Sequence, residues 1–318
     1  MLKDKLILET VNCLICKKNK FKVNKKIIIN TKKEAKIVKC KNCGLVYLSP
    51  RPKNVELLYS EKYWELNENK SFEHLNKQRT DAVKKTIEKI EKYISKHLNQ
   101  EQKINILDIG AGDGLFLNSI NKKFNRYATE ISKSGVNYLK KKGIKNVYCG
   151  DFNEINFKEK YDVVNISHVI EHLKNPAYFL KKVKKIMKKE SILVISAPNE
   201  DSFFTKIVNL PIIRKLTIEK DEWTNQKKVD KIEFCSIKNN SELGERRFLI
   251  HNLHHFYFFT PKTIKYLLKI NKFKIVYFYD GNLIKTNSSI KNMIKNNFIN
   301  KLFKFFNSQE ELLIFAKI

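Results

Sequence analysis

Short apolar runs recur through the middle of the chain, and each one ends at polar or turn-forming residues. They cover residues 106–109, 127–131, 146–149, 162–167 and 191–198. Runs of this length between turn signals are typical of buried strands, and the first run leads through a glycine turn into a helix start. The pattern therefore predicts an α/β protein with a doubly wound sheet.

The pattern changes on both sides of this region. Apolar residues recur at helical spacing from 72 to 98 and predict an amphipathic helix within a linking segment, residues 61–102. Towards the end of the chain we expect a helix near 263–270, followed by strands at 274–279 and 311–316.

The turn after the first run is rich in glycine. The run contains Asp108, and three of the nine glycines of the chain follow at Gly110, Gly112 and Gly114. Without a Cβ atom the backbone can turn sharply and lie close to a bound nucleoside. The dinucleotide-binding pattern G-x-G-x-x-G would require glycine where this chain has Leu115. Acids beside the loop suit a cationic ligand, such as a sulfonium or amino group, better than a pyrophosphate.

The D-x-G-x-G-x-G pattern resembles motif I of the class I S-adenosylmethionine-dependent methyltransferases. This resemblance implies a seven-stranded, Rossmann-like sheet and S-adenosylmethionine as the cofactor. Glu130 ends the second strand, where an acid accepts hydrogen bonds from ribose hydroxyls. In the family an aspartate after the third strand meets the adenine amino group and its neighbour packs on the ring; an H-x-x-E-H-L segment, here 168–173, lines the methionine end. The implied cofactor residues are Asp108, Gly110, Ala111, Gly112, Gly114, Glu130, Ile131, Asp151, Phe152, Ser167 and His168.

Two histidines of that segment are candidates for a metal site. His168 and His172 are four residues apart and would share one side of a helix. The zinc-protease pattern H-E-x-x-H is not met, because Glu171 adjoins the second histidine. We favour neutral, hydrogen-bonded histidines near the cofactor and keep metal binding as the alternative.

Four cysteines form two C-x-x-C pairs, Cys13 with Cys16 and Cys40 with Cys43. Two such pairs suit tetrahedral zinc, and their spacing resembles a zinc ribbon. Two disulfides are the alternative, but they would need an oxidising compartment, and no signal-like apolar stretch follows Met1. We therefore expect a structural Zn²⁺ in a cytoplasmic protein.

A ribbon ahead of a methyltransferase domain resembles bacterial enzymes of deoxysugar, surface-polysaccharide and natural-product pathways. The matching residues are 43–47 and 50–52, which follow the second cysteine pair. The resemblance implies a small-molecule acceptor, such as a sugar or a polysaccharide precursor. It also implies a ribbon at 1–60 and a methyltransferase domain at 103–318, with a lid-like insertion at about 201–250.

Candidate catalytic residues cluster just after this insertion. Three histidines and four aromatic residues lie within residues 251–261. Methyl transfer is an in-line displacement on a sulfonium, and a hydroxyl nucleophile must also lose a proton, which histidine can accept. We expect His255 to be this base, with His254 and His172 as the next candidates. The alternative is that these histidines only pack and hydrogen-bond, because transfer by proximity needs no base.

The chain carries a net charge of +30, which raises the question of nucleic acid as a partner. Only six of its 63 basic residues are arginine, the residue that favours bidentate phosphate and base contacts. An RNA methyltransferase is therefore the less favoured alternative. Residues 203–216 and 290–306 mix lysine with apolar residues, so peripheral membrane contact is a further hypothesis beside lid or core packing. The sequence determines neither the acceptor atom nor the oligomeric state.

Overall fold

The computed structural model of the protein describes residues 2–30, 32–54, 76–99, 101–201, 253–279 and 311–318. The lid-like insertion from residue 202 onwards and both segments considered for membrane contact lie outside these residues. No helix in the described ranges is both long enough and apolar enough to cross a bilayer.

A seven-stranded sheet forms the centre of the molecule, as the family resemblance implies. Its strands are β6 (Asn105–Ile109), β7 (Asn125–Glu130), β8 (Asn146–Cys149), β9 (Tyr161–Ser167), β10 (Met187–Pro198), β12 (Lys274–Tyr279) and β13 (Glu311–Lys317). Their order in the sheet is β12-β13-β10-β9-β6-β7-β8. Strands β6 to β10 run parallel, and β13 runs antiparallel to both of its neighbours.

Some strands are longer than their apolar runs. The strand β10 starts at Met187, four residues before the predicted start, and Met187 pairs with Tyr161 across an irregularity in the ladder. The strand β7 likewise starts at Asn125. Backbone hydrogen bonds do not require apolar side chains, so the ladder continues into polar residues that hydropathy alone excludes.

Helices cover both faces of the sheet. Their bounds are α1 (Leu2–Lys5), α2 (Asn76–His97), α3 (Leu115–Ser119), α4 (Lys133–Lys141), α5 (Pro176–Ile186) and α6 (Pro261–Ile270). Buried residues of α2, α3 and α4 pack on one face, and those of α5 and α6 pack on the other. The helix α6, which the sequence predicts near 263–270, starts slightly earlier, at Pro261, because the Thr260 side chain caps it by accepting a hydrogen bond from the backbone N–H of Thr263.

The cysteine-rich segment forms a separate small sheet. Its order is β11-β4-β3-β2, built from β2 (Phe21–Asn30), β3 (Lys33–Cys40), β4 (Val46–Leu48) and the distant β11 (Tyr257–Phe258). A further pair joins β1 (Leu8–Glu9) to β5 (Arg51–Pro52). One continuous cluster of buried residues extends from this segment to the α5 and α6 face of the large sheet. The two sheets therefore share a hydrophobic core.

The glycine loop packs closely against Val169, and substitution of Gly110 tests this contact. Gly110 has a φ of +68°, and an added Cβ would lie 2.8 Å from Cγ2 of Val169. Gly112 also has a positive φ, of +55°, but an added Cβ would meet nothing within 4 Å. Gly112→Ala should therefore cost only the left-handed backbone, about 1–2 kcal/mol of unfolding free energy. Gly110→Ala should lower the free energy of unfolding by roughly 1–3 kcal/mol more than this, because the added methyl group would overpack the contact with Val169.

Urea denaturation of both variants measures this difference. The double variant Gly110→Ala/Val169→Ala lacks the methyl group that the new Cβ would meet. Measured against Val169→Ala alone, Gly110→Ala should therefore cost about as little as Gly112→Ala costs in the wild type. Equal losses in the two single glycine variants would contradict the packing argument.

Candidate functional site

The strand order of the large sheet reverses between β6 and β9. From β6 the chain proceeds to β7 on one side, whereas β9 lies on its other side and leads to β10. The helices that follow β6 and β9 lie on opposite faces, so a crevice opens between the two strand ends. Asp108 and Asn165 face each other here in register, and the Asn165 amide donates a 2.8 Å hydrogen bond to the Asp108 carboxylate.

The glycine loop lies against the end of β7. The backbone N–H groups of Gly110 and Ala111 donate to the carbonyl of Thr129, at 3.0 and 3.1 Å. The N–H of Gly112 donates to one carboxylate oxygen of Glu130 at 3.3 Å, and the N–H of Ile131 donates to the other at 2.8 Å. The structure thus brings the predicted cofactor residues of the first two strand ends together. Ile131 itself is 56% exposed beside them.

The third strand end adds the predicted adenine residues. The N–H of Gly150 donates to the carbonyl of Glu130 at 3.0 Å and places the end of β8 beside that of β7. Asp151 is exposed, and its carboxylate accepts a hydrogen bond from the N–H of Asn153. Phe152 is buried and packs against Phe179, with ring centroids 4.6 Å apart.

An ion pair that the sequence did not predict joins the glycine loop to the helix α2. The Arg79 guanidinium, on α2, donates to both oxygens of Asp113, at 2.6 and 3.0 Å. The pairing joins positions 34 residues apart, on a helix and a loop, so no local sequence signal could predict it.

His168 follows Ser167 at the end of β9 and lies between two carboxylates. Its Nε2 atom is 2.9 Å from Glu311 at the start of β13, and its Nδ1 atom is 3.5 Å from buried Glu171. Burial opposes protonation of His168, but the hydrogen bonds and charges of these two acids raise its pKa above the usual value. Burial alone would raise the pKa of Glu171, yet His168 and His172 lower it.

The helical argument for a metal held by His168 and His172 is wrong. His168 has a left-handed backbone, with φ of 53°, and the short 3₁₀ helix begins only at Ile170. The two histidines therefore do not share a helix face. Instead, one ligand-type atom from each of Glu171, His172 and His255 lies within 4.8 Å of the others.

The three predicted catalytic histidines do lie together. The ring centroids of His254 and His255 are 4.0 Å apart, and that of His172 is 5.3 and 4.8 Å from them. Nδ1 of His172 donates to the carbonyl of His254 at 2.9 Å, because a carbonyl can only accept. Burial lowers the pKa of His172 despite the opposing charge of Glu171, which favours a neutral ring with a lone pair on Nε2. Such a ring can accept a proton.

The four predicted zinc ligands form one cluster. The Sγ atoms of Cys13 and Cys43 are 3.3 Å apart and those of Cys16 and Cys40 are 3.4 Å apart, so no disulfide joins them. Four thiolates around zinc at about 2.3 Å would be about 3.8 Å from one another, so a small adjustment suffices. The residues present therefore fit a structural zinc ion.

The two cysteine turns have the same backbone pattern. The N–H of Cys13 donates to the carbonyl of Lys18, and its own carbonyl accepts from the N–H of Lys17. Cys40 is bonded in the same way to Leu45 and Gly44. Lys17 and Gly44 both have positive φ, at 60° and 80°. The first turn thus has a lysine where the second has the glycine that such a backbone favours.

Comparison with known proteins identifies the family. Residues 75–277 match the family described as a methyltransferase domain, which is more than half of the 318-residue chain. The chain belongs to this family, and its sequence-based prediction as a class I S-adenosylmethionine-dependent methyltransferase is confirmed.

The chain is also similar, over part of its length, to individual curated proteins. The chain is 29% identical over 203 residues to a ubiquinone biosynthesis O-methyltransferase of Rickettsia prowazekii, which covers 61% of this chain and 78% of that protein. It is 32% identical over 119 residues to the protein of the same name from Rickettsia canadensis, which covers 36% of this chain and 50% of that protein. The chain therefore spans about half the length of several curated relatives that it matches.

The fold is similar to that of the plantazolicin methyltransferase BpumL in complex with SAH and a triazolic desmethylPZN analog. The TM-score is 0.51 at 17% identity, and the match covers 83% of this chain and 93% of that chain. With a monoazolic analog bound, the same methyltransferase gives a TM-score of 0.50 at 16% identity, over 83% of this chain and 92% of that chain. At this identity the similarity shows the fold.

The buried Asp108 leads to a pH prediction. Burial raises the pKa of Asp108 to about 7, and the hydrogen bond from Asn165 opposes this only in part. In the unfolded chain the carboxyl ionises near pH ~3.9. The ligand-free protein should therefore lose stability as the pH rises from about 4 towards 7, because the carboxyl is ionised in the unfolded chain over this range and must take up a proton on folding.

Asp108→Asn should remove this loss, on the order of 1 kcal/mol per pH unit. Urea denaturation between about pH 5 and 8 measures the difference between the variant and the wild type, which should grow up to about pH 7 and then level off. Asp151→Asn, at an exposed position, is the control. Parallel curves for the wild type and Asp108→Asn would contradict this account of the buried carboxyl.

Proposed function

We propose that this protein transfers the methyl group of S-adenosylmethionine to a hydroxyl group of a small molecule. One observation carries the proposal: the acid-lined glycine loop at the strand-order reversal lies on the same edge of the sheet as the cluster of three histidines. The first feature suits a cationic methyl donor. The second suits removal of a proton from a neutral nucleophile.

The cofactor would bind along the ends of β6 to β9. Gly110, Ala111, Gly112 and Gly114 would lie beneath it, with Asp108 and Asp151 at its amino-bearing groups and Glu130 at the ribose hydroxyls. Ile131 and Phe152 would contact the adenosine, and Ser167 and His168 the methionine end. Hydrogen bonds among these strand ends support the assignment, since they hold the glycine loop in a turned shape beside Glu130.

The acceptor would meet the methyl group near the histidines. Its oxygen attacks the methyl carbon, the sulfur–carbon bond breaks and S-adenosylhomocysteine leaves, while the hydroxyl proton passes to His255. His254 and His172 would support this base or replace it. The names of the O-methyltransferase relatives favour oxygen as the methylated atom.

A sugar, a polysaccharide precursor or another metabolite would be the acceptor. The compared proteins support a small molecule, because their names refer to ubiquinone biosynthesis and to plantazolicin analogs. Among the residues that the structure describes, no feature of the site favours RNA over a small molecule. The four cysteines would hold a structural zinc ion.

Glu130 tests the cofactor assignment. Glu130→Gln should weaken the binding of S-adenosylmethionine by about tenfold or more, because hydrogen bonds to a charged group contribute roughly 1.5–3 kcal/mol. Isothermal titration calorimetry measures the affinity. Glu159→Gln, at an exposed position, is the matched control. Unchanged affinity in a folded Glu130→Gln protein would refute the ribose role.

His255 tests the chemistry. His255→Gln should leave cofactor affinity unchanged but lower kcat by about 100-fold or more, the usual contribution of a general base. The assay follows radiolabelled methyl transfer to the best acceptor from a panel of sugars and phenols. His97→Gln, on α2, is the control. Full turnover in His255→Gln would show that transfer here relies on proximity alone.

A further inference from the structure

The cysteine ribbon, taken here as residues 8–52, contacts both segments that carry the clustered histidines. The strand β4 pairs with β11, with Tyr47 opposite Tyr257 and Val46 opposite Phe258. Next to this pairing, the N–H of Leu48 donates to the carbonyl of Phe256. The N–H of Phe256 in turn donates to the carbonyl of Glu171. A backbone ladder thus runs from the ribbon through the His254–His255 segment to the segment of His172.

The metal ligands lie close to this ladder along the chain. Cys43 is three residues before Val46, and His255 is two residues before Tyr257. Tyr47 is 1% exposed, follows the second cysteine turn along the chain and pairs with Tyr257 on β11. A movement of that turn would therefore reach the histidines through few residues.

Arg51 reinforces this junction from within. It is only 7% exposed, and its Nε atom donates to Glu9 on the neighbouring strand at 2.9 Å. Its Nη1 atom donates to the carbonyl of Lys174 and to the hydroxyl of Tyr257, both at 3.0 Å. The guanidinium also lies over the ring of Phe256, 5.1 Å from its centroid. One side chain of the ribbon thus contacts both histidine-bearing segments.

The Tyr257 hydroxyl completes the arrangement, since it donates to the same Lys174 carbonyl at 3.1 Å. Arginine suits this position because its planar group presents several donors in fixed directions, whereas lysine has one flexible ammonium. None of these contacts of Arg51 involves β6, β7 or β8, whose ends carry the glycine loop, Glu130 and Asp151.

We propose that Arg51 is a positioning residue that couples the ribbon to His172, His254 and His255. With zinc held by the four cysteines, the ribbon would fix the geometry of this histidine cluster, while the cofactor residues at the ends of β6, β7 and β8 would keep their positions. The inference rests on the proposed function only in assigning the histidines to the acceptor. The coupling itself is measurable without any acceptor.

Histidine NMR on the full chain tests the proposal. The chain has seven histidines, and labelling their Cε1 positions gives one signal each, which single His→Gln variants assign. Removing zinc from the wild type with a chelator should shift and broaden the signals of His172, His254 and His255. His97, which packs on Tyr93 in α2, should not move. Adding zinc back should restore the spectrum.

Arg51→Met in the zinc-loaded protein should change the same three signals while zinc content stays at the wild-type value. The affinity of the variant for S-adenosylmethionine should stay within about twofold, because the contacts of Arg51 do not involve the ends of β6, β7 or β8. Arg126→Lys is the matched control, because this arginine also donates to a carbonyl, that of Leu117, but away from the junction. Should Arg51→Met not fold, Tyr257→Phe removes a single hydroxyl from the same network and takes its place.

Unchanged signals of the three histidines on zinc removal, or in a folded Arg51→Met or Tyr257→Phe protein, would overturn the proposal. So would equal changes at His97, since these would indicate general loosening. This outcome is separate from the His255 activity test. Coupling could be present even if His255 is not the base, and His255 could be the base without any coupling to the ribbon.

Discussion

The reversal of strand order between β6 and β9 determines where the predicted cofactor residues and the histidine cluster lie. Parallel strands end at one edge of a sheet, and helices that depart to opposite faces leave an opening only at the reversal. The Asp108–Asn165 hydrogen bond joins the two strands at that point. The glycine loop, the end of β7 and the histidine cluster all depend on this junction, because each is hydrogen-bonded to a strand or loop that begins there.

The electrostatics of the site are opposite to those of the whole chain. The protein carries a net charge of +30, yet Asp108, Glu130 and Glu171 are all buried along one edge of the sheet. Burial raises the pKa values of Asp108 and Glu130, while neighbouring histidines lower that of Glu171. A cationic ligand would offset the cost of ionising the first two acids. Net charge is therefore a poor guide to the ligand, because surface lysines are solvated and screened whereas buried carboxylates are not.

The ribbon and the large sheet share one hydrophobic core. The strand β11 belongs to the chain of the methyltransferase domain but pairs within the ribbon sheet, and Arg51 is buried between the two parts. Apolar contact alone would allow the two parts to slide. The directional hydrogen bonds of Arg51, Tyr257 and Phe256 favour one arrangement of the two parts, which gives these polar groups a structural role in an otherwise apolar junction.

The sequence by itself determined most of the strands and helices, the fold and the family of the protein. The features that could be read from the sequence are local ones: the hydrophobic runs, the glycine spacing after Asp108, the acid at Glu130 and the cysteine pairs. Each depends only on residues close together in the chain, so local patterns were sufficient to find it. Local patterns failed where distant residues meet. The pairing of β11 with β4, the Arg79–Asp113 ion pair, the Glu311 contact to His168 and the left-handed backbone of His168 were decided only by the tertiary structure. Such contacts depend on which chain segments become neighbours in the folded state. A local sequence pattern does not indicate which distant segments these are.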